Sequence, residues 1–117
     1  MLEQPGQSYS NTSAGNTKVE AVVSVAAYRQ TRIFNLVAFN PDASATSYVQ
    51  FFDARSANVT LGTTVPKFVL PLPPTGGVQT GLEVPYGFAV AVTYAVTSTA
   101  SGSSSPASNA VISFEYV

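Results

Sequence analysis

The stretch GFAVAVTYAVTSTA, Gly87 to Ala100, decides the fold. Phe88, Val90, Val92, Tyr94 and Val96 fall at every second position and make one large apolar face. Ala89, Ala91, Thr93 and Ala95 make a small face between them. A period of two puts successive side chains on opposite sides of an extended backbone, so the run reads as a strand. β-Branched and aromatic residues dominate it, as they do on a pleated, half-buried surface.

Neighbouring segments repeat the pattern. In KVEAVVSVAAYR, Lys18 to Arg29, Val19, Ala21, Val23, Val25 and Ala27 alternate with Lys18, Glu20, Ser24 and Tyr28. TRIFNLVAFN, Thr31 to Asn40, is apolar on both faces. Such a strand is central in its sheet or covered by a neighbouring subunit. NPDAS, Asn40 to Ser44, reads as a turn, because Pro fixes φ and Asn and Asp bond their own backbone. TSYVQFFDA, Thr46 to Ala54, is a third strand, and a short fourth is expected around Val59 to Leu61.

PKFVLPLP places Phe68, Leu70 and Leu72 on one face. Pro71 has no N–H to donate, which assigns this strand to a sheet edge. VQTGLEV, Val78 to Val84, is a further strand, and SGSSSPASN, Ser101 to Asn109, a flexible loop. AVISFEYV closes the chain with Ile112, Phe114 and Tyr116 inward. Helical spacing is absent throughout, so no helix longer than about two turns is expected. About eight short strands imply an all-β antiparallel sandwich, jelly-roll-like or Ig-like.

The chain has 117 residues, enough for one domain, expected over 18–117. Residues 1–17 are polar and aperiodic and read as an extended arm or a disordered tail. There is no Cys and no His, which removes disulfides, thiolate metal sites and the commonest general base. Only 9% of residues are charged and the net charge is -1, so no basic stripe can track nucleic acid. No apolar run reaches the roughly 18 residues of a membrane span. The first residues lack the basic and apolar regions of a signal peptide, so folding in a cytoplasm is expected. Low charge with abundant Ser, Thr and Ala suits a surface partly covered by neighbours.

Chemistry-bearing residues are sparse. Glu3, Glu20, Asp42, Asp53, Glu83 and Glu115 show no catalytic spacing, and any triad would need a lysine as base. Asp42 is a calcium candidate or, more simply, a turn former. No cofactor is expected, and the chain reads as a non-enzyme. Tyr9, Tyr28, Tyr48 and Tyr86 form either a sugar-binding platform or packing. Ala89, Ala91 and Ala95 form either the floor under a packed layer or a close subunit contact. The interface residues expected are Gln4, Pro5 and Tyr9 on the arm and Ala89, Ala91 and Ala95 on the strand.

SYVQFFDARSANVTLGTTVPKFVLPLPPTGG and GLEVPYGFAVAVTYAVTSTASG together resemble a family of small bacteriophage and prophage proteins. The resemblance covers roughly Phe34 to Gly102. It rests on the Tyr48–Val49–Gln50 strand, the VTLGTTVP turn and the strand and loop ending in Gly102. The PLPPTGG and LEVPYG pieces are richer in proline than the family pattern. The resemblance implies a virion-associated β protein encoded among head and tail structural genes. The expected function is a capsid decoration, or cement, protein, made in the bacterial cytoplasm and located in the virion. Its expected partners are the major capsid protein or other virion subunits, and copies of itself, with a homotrimer favoured at local threefold positions. The alternative is a fibre or tail adhesion module that binds a host surface glycan or protein.

Overall fold

The structure is a computed structural model that describes residues 7–15, 18–25, 30–75, 77–79 and 86–117. Nine strands are described: β1 (Gln7–Ala14), β2 (Glu20–Ser24), β3 (Thr31–Phe39), β4 (Ser47–Phe52), β5 (Phe68–Leu72), β6 (Gly77–Gln79), β7 (Tyr86–Phe88), β8 (Ala91–Thr97) and β9 (Ala110–Tyr116). Among the described residues the sole helical element is a 3-10 turn at Ser56–Asn58.

The strands form two antiparallel sheets. One has the order β1-β9-β3-β6, with β7 alongside the other end of β3. The second has the order β2-β8-β4-β5. β6 pairs with Val37 to Phe39 and β7 with Thr31 to Ile33, so together they occupy one strand position. With those two counted as one, the first strand pairs with the last, the second with the last but one, and so inward to β4 with β5. That is a single long hairpin rolled into two sheets, the jelly-roll arrangement. It decides between the two sandwich types that the strand pattern leaves open.

The core lies between the sheets. Ile33, Leu36, Ala38, Ile112 and Phe114 face Val49, Phe51, Leu72, Val92, Tyr94 and Val96. Phe51 is central: it stacks on Phe68 with centroids 4.8 Å apart and meets Phe88, Tyr94 and Phe114 at 6.4, 5.6 and 5.9 Å. Each such side chain, fully buried, contributes about 1.5–3 kcal/mol. Asn35 has φ 51, and the register of β3 against β9 shifts between Phe34 and Val37. Asn tolerates this left-handed conformation better than most residues. The extra residue of the bulge lets both Ile33 and Leu36 point into the core.

Several local expectations are corrected. The polar arm is not separate from the domain in its described part: Gln7–Ala14 is β1, registered on β9 from Gln7↔Tyr116 to Ala14↔Ala110. Its polar composition follows from its edge position, where most side chains face solvent. In β2 a bulge between Ala21 and Val23 breaks the strict alternation. The run from Gly87 to Ala100 is two strands, because the chain bends at Ala89 and Val90. Val90 is 46% exposed there, while Phe88, Val92, Tyr94 and Val96 keep the core face. No strand forms at Val59 to Leu61, where the chain turns instead. Pro71 lies on edge strand β5 opposite Tyr48, as its missing N–H requires. The VQTGLEV strand is described only over β6, and its remainder lies outside the described residues.

Candidate interaction surfaces

The two sheets differ in what covers their outer faces. On the β2-β8-β4-β5 sheet, every residue of β8 is buried, inward and outward alike. Gln50, Phe52, Ala91, Thr93, Ala95 and Thr97 are buried although their strands turn the opposite face to the core. Their cover comes from the same chain. The β4–β5 connection passes beside Ala91 and Thr93: Thr93 Oγ1 donates to Ala54 O at 2.8 Å, and Arg55 to Ala57 line a groove with both residues. It then turns at Thr60 to Thr64, where Thr63 N and Thr64 N donate to Thr60 O at 3.0 and 2.8 Å. Gly62 has φ +86, which the turn requires, and lies against Ser103 of the β8–β9 loop.

That loop is pinned as well. Gln50 Nε2 donates to Thr97 Oγ1 at 2.7 Å and to Gly102 O at 3.1 Å. Thr97 Oγ1 donates to Thr99 O at 2.7 Å, and Ser98 N to Ser104 O at 2.9 Å. The expected flexible loop is therefore a hydrogen-bonded cap over its first half. Ala91 and Ala95, at 2% and 0% exposure, are buried within the single chain. The proposed alanine contact is thus corrected to an intra-chain floor. Ala89 is exposed at the β7–β8 bend, away from any such face.

The two described aspartates hold loops. Asp53 accepts backbone hydrogen bonds from Ala89, Val90 and Ala91 at 3.0, 2.8 and 3.2 Å, tying the end of β4 to the start of β8. Burial pushes its carboxyl up, but the three N–H donors and Lys67 outweigh this and hold it below the ordinary range. Asp42 accepts from Ala45 N at 2.6 Å, Ser44 N at 3.0 Å and Ser108 Oγ at 2.8 Å, and these donors lower its carboxyl. It is a turn former and also the tether of the β8–β9 loop. The buried Asn40 completes this corner, donating to Ala45 O and Leu72 O at 2.9 and 3.0 Å.

Tyr9 faces inward. Its ring stacks on Phe114 at 5.1 Å and meets Tyr94 edge-on at 5.6 Å. Its hydroxyl lies 2.6 Å from that of Tyr94, to which Asn11 Nδ2 also donates at 3.1 Å. Burial pushes the Tyr94 hydroxyl far above its ordinary range, so it stays protonated and available to this network. Tyr9 is thus a packing residue and no part of a sugar platform. Gln4, Pro5 and Tyr28 lie outside the described residues, as does the side chain of Tyr86.

The outer face of the other sheet is open. Past the Asn35 bulge, β3 turns Val37 and Phe39 outward, 47% and 40% exposed, in line with half-buried Phe34. Val111, Ser113 and Glu115 of β9 stand opposite Phe39, Val37 and Phe34. Ser10 and Ser8 of β1 extend the rows beside Ser113 and Glu115. The result is an apolar row on a strand whose backbone is already bonded on both sides. The two-faced apolar pattern of Ile33 to Phe39 signals it. The Asn35 bulge, which moves Leu36 inward and Val37 outward, is what strict alternation misses.

A groove of about 370 Å³ also lies between β2 and the Arg55–Ala57 turn. Ala21, Ser24, Ala57 and Ala91 line it, Arg55 is its charged residue, and Thr93 Oγ1 is committed to Phe52 O and Ala54 O. No group of three acids or other metal-ligating side chains gathers among the described residues. No family model, no curated protein and no solved structure matches this chain.

Proposed function

We propose that the chain is a structural protein of a bacteriophage particle, a decoration protein that sits on the head and bridges neighbouring capsid subunits. The observation that carries this reading is the open row of Phe34, Val37 and Phe39 on the β1-β9-β3-β6 sheet. On the opposite sheet the outward residues of β4 and β8 are buried by the same chain, whereas this row stays exposed. A contiguous exposed apolar patch marks an interaction surface. The resemblance carried by the Tyr48–Gln50 strand, the Thr60–Thr64 turn and the Thr97–Gly102 loop points to the same class of protein.

The mechanism is mechanical. Covering the remaining exposure of each apolar side chain contributes on the order of 1 kcal/mol. One such contact is weak, but contacts to several subunits of one shell multiply through effective concentration. A protein that binds the assembled shell and not its opened form stabilises the shell by mass action. A fibre or tail adhesion role gains less support, because Tyr9, one of the four tyrosines of a sugar platform, is spent in packing.

The test uses shells stripped of the protein and then reloaded. Wild type should saturate the shell and raise its melting temperature. Val37→Glu and Phe39→Glu should lose binding while the free domain still melts within a few degrees of wild type. Undiminished binding by both variants contradicts the assigned surface.

A further inference from the structure

A strand at a sheet edge carries unpaired backbone N–H and C=O groups that accept any extended segment, and folded proteins guard such edges. Among the described residues three of the four edges here are guarded. β5 carries Pro71. β2 carries a bulge between Ala21 and Val23 and starts at Glu20, whose carboxylate lies 3.8 Å from Lys18 Nζ. The far edge of the larger sheet is described as two short strands, β6 and β7, of three residues each. The fourth edge, β1, carries neither charge nor proline, and its one register shift lies past Asn11, between Asn11 and Ala14. Gln7 to Asn11 keeps an unbroken register with β9. Gln7, Ser8 and Ser10 are exposed along it.

We propose that β1 pairs antiparallel with β1 of a second copy about a two-fold axis, joining two β1-β9-β3 sheets into one. Two features select a second copy as the occupant. An edge that meets itself about a two-fold axis is self-complementary, so every copy brings the matching strand in the same conformation. The absence of charge from Gln7 to Ala14 means that self-pairing sets no like charges opposite each other. The edge is also held ready. Tyr9 is stacked on Phe114 and bonded to Tyr94, which fixes β1 in extended form before any partner arrives. A preorganised edge loses little entropy on pairing. This contact is distinct from the Val37–Phe39 surface and belongs to the isolated chain, so its test stands apart from that of the virion role.

The test is sedimentation of the isolated chain over a wide concentration range. Wild type should form a dimer. The Ser8→Lys/Ser10→Lys double variant should weaken it by about tenfold or more through like charges across the axis, with an unchanged circular dichroism melt. The chain has no Cys, so single cysteines report contacts cleanly. Ser8→Cys or Ser10→Cys should cross-link two copies. Ser113→Cys, one strand further in, should not, because three strand spacings, about 14 Å, exceed disulfide reach. A wild type that is monomeric at every concentration overturns the proposal. So does a dimer that is indifferent to the lysines but abolished by Val37→Glu.

Discussion

The side-chain nitrogen of Gln50 on β4 donates to Thr97 Oγ1 at the end of β8, 2.7 Å away and 47 residues further along the chain. The same nitrogen reaches Gly102 O at 3.1 Å. Two stretches distant in the chain are thereby joined: a glutamine on one strand fastens the loop that follows another. Together with the Thr60–Thr64 turn, which rests on Ser103, that loop covers part of one face of the sandwich.

Gln50→Ala should cost about 2–3 kcal/mol, because it empties a buried site and strips Thr97 and the loop carbonyl of Gly102 of their donor. Urea denaturation reads the loss. Hydrogen exchange should show Ser98 to Ser104 opening faster, with the β1–β9 ladder unaffected beyond the global change.

Truncation before Gly15 should prevent folding or lower the melting temperature by well over 10 °C. It removes a whole edge strand, leaves the Tyr94 hydroxyl buried without Tyr9 or Asn11, and uncovers Phe114. Tyr9→Ala alone should cost about 3–4 kcal/mol. Thermal melts of both variants check this, and an unchanged melt in either would restore the independent arm.

Acid should unlatch the loops. The folded carboxyls of Asp53 and Asp42 lie below the ordinary value of 3.8. Groups depressed in the folded state give a contribution that is complete above the unfolded value and lost as pH falls through the folded one. Stability should therefore be level from neutral to about pH 5 and fall below pH 4. Asp53→Asn and Asp42→Asn should each flatten part of that fall in denaturation curves taken across the acid range.

Two glycines should resist substitution for different reasons. Gly62→Ala places a side chain at φ +86 and should cost about 1–2 kcal/mol through backbone strain. Gly102→Ala drives a Cβ into Thr99 Oγ1, so the Thr99 side chain must turn away or the loop that Gln50 holds must shift. Comparable melts for wild type and both variants would refute the account of the covered face.

The sequence makes the strands legible because a buried sheet face imposes a period of two, and β8, β9 and β5 show it directly. Pro71 marks its edge for the same chemical reason in sequence and in structure. What escapes is set by neighbours distant in the chain. Ala91 and Ala95 are buried on the outward face by the chain itself, and no local pattern distinguishes such cover from a second subunit. β1 hides in a polar segment because an edge strand shows most of its residues to water, although the alternation of Tyr9 with Ser8 and Ser10 is its trace. The open row at Val37 and Phe39 is visible as a two-faced apolar strand, but its phase is reset by Asn35.

The proposed decoration role is tested most directly by imaging virus particles assembled in the presence of the protein, at a resolution that counts copies and locates them. A decoration protein should appear on the outer surface of the head in a copy number matching the shell lattice, with the Val37–Phe39 face against capsid subunits. Absence from the particle, or a few copies confined to the tail or fibres, would contradict it.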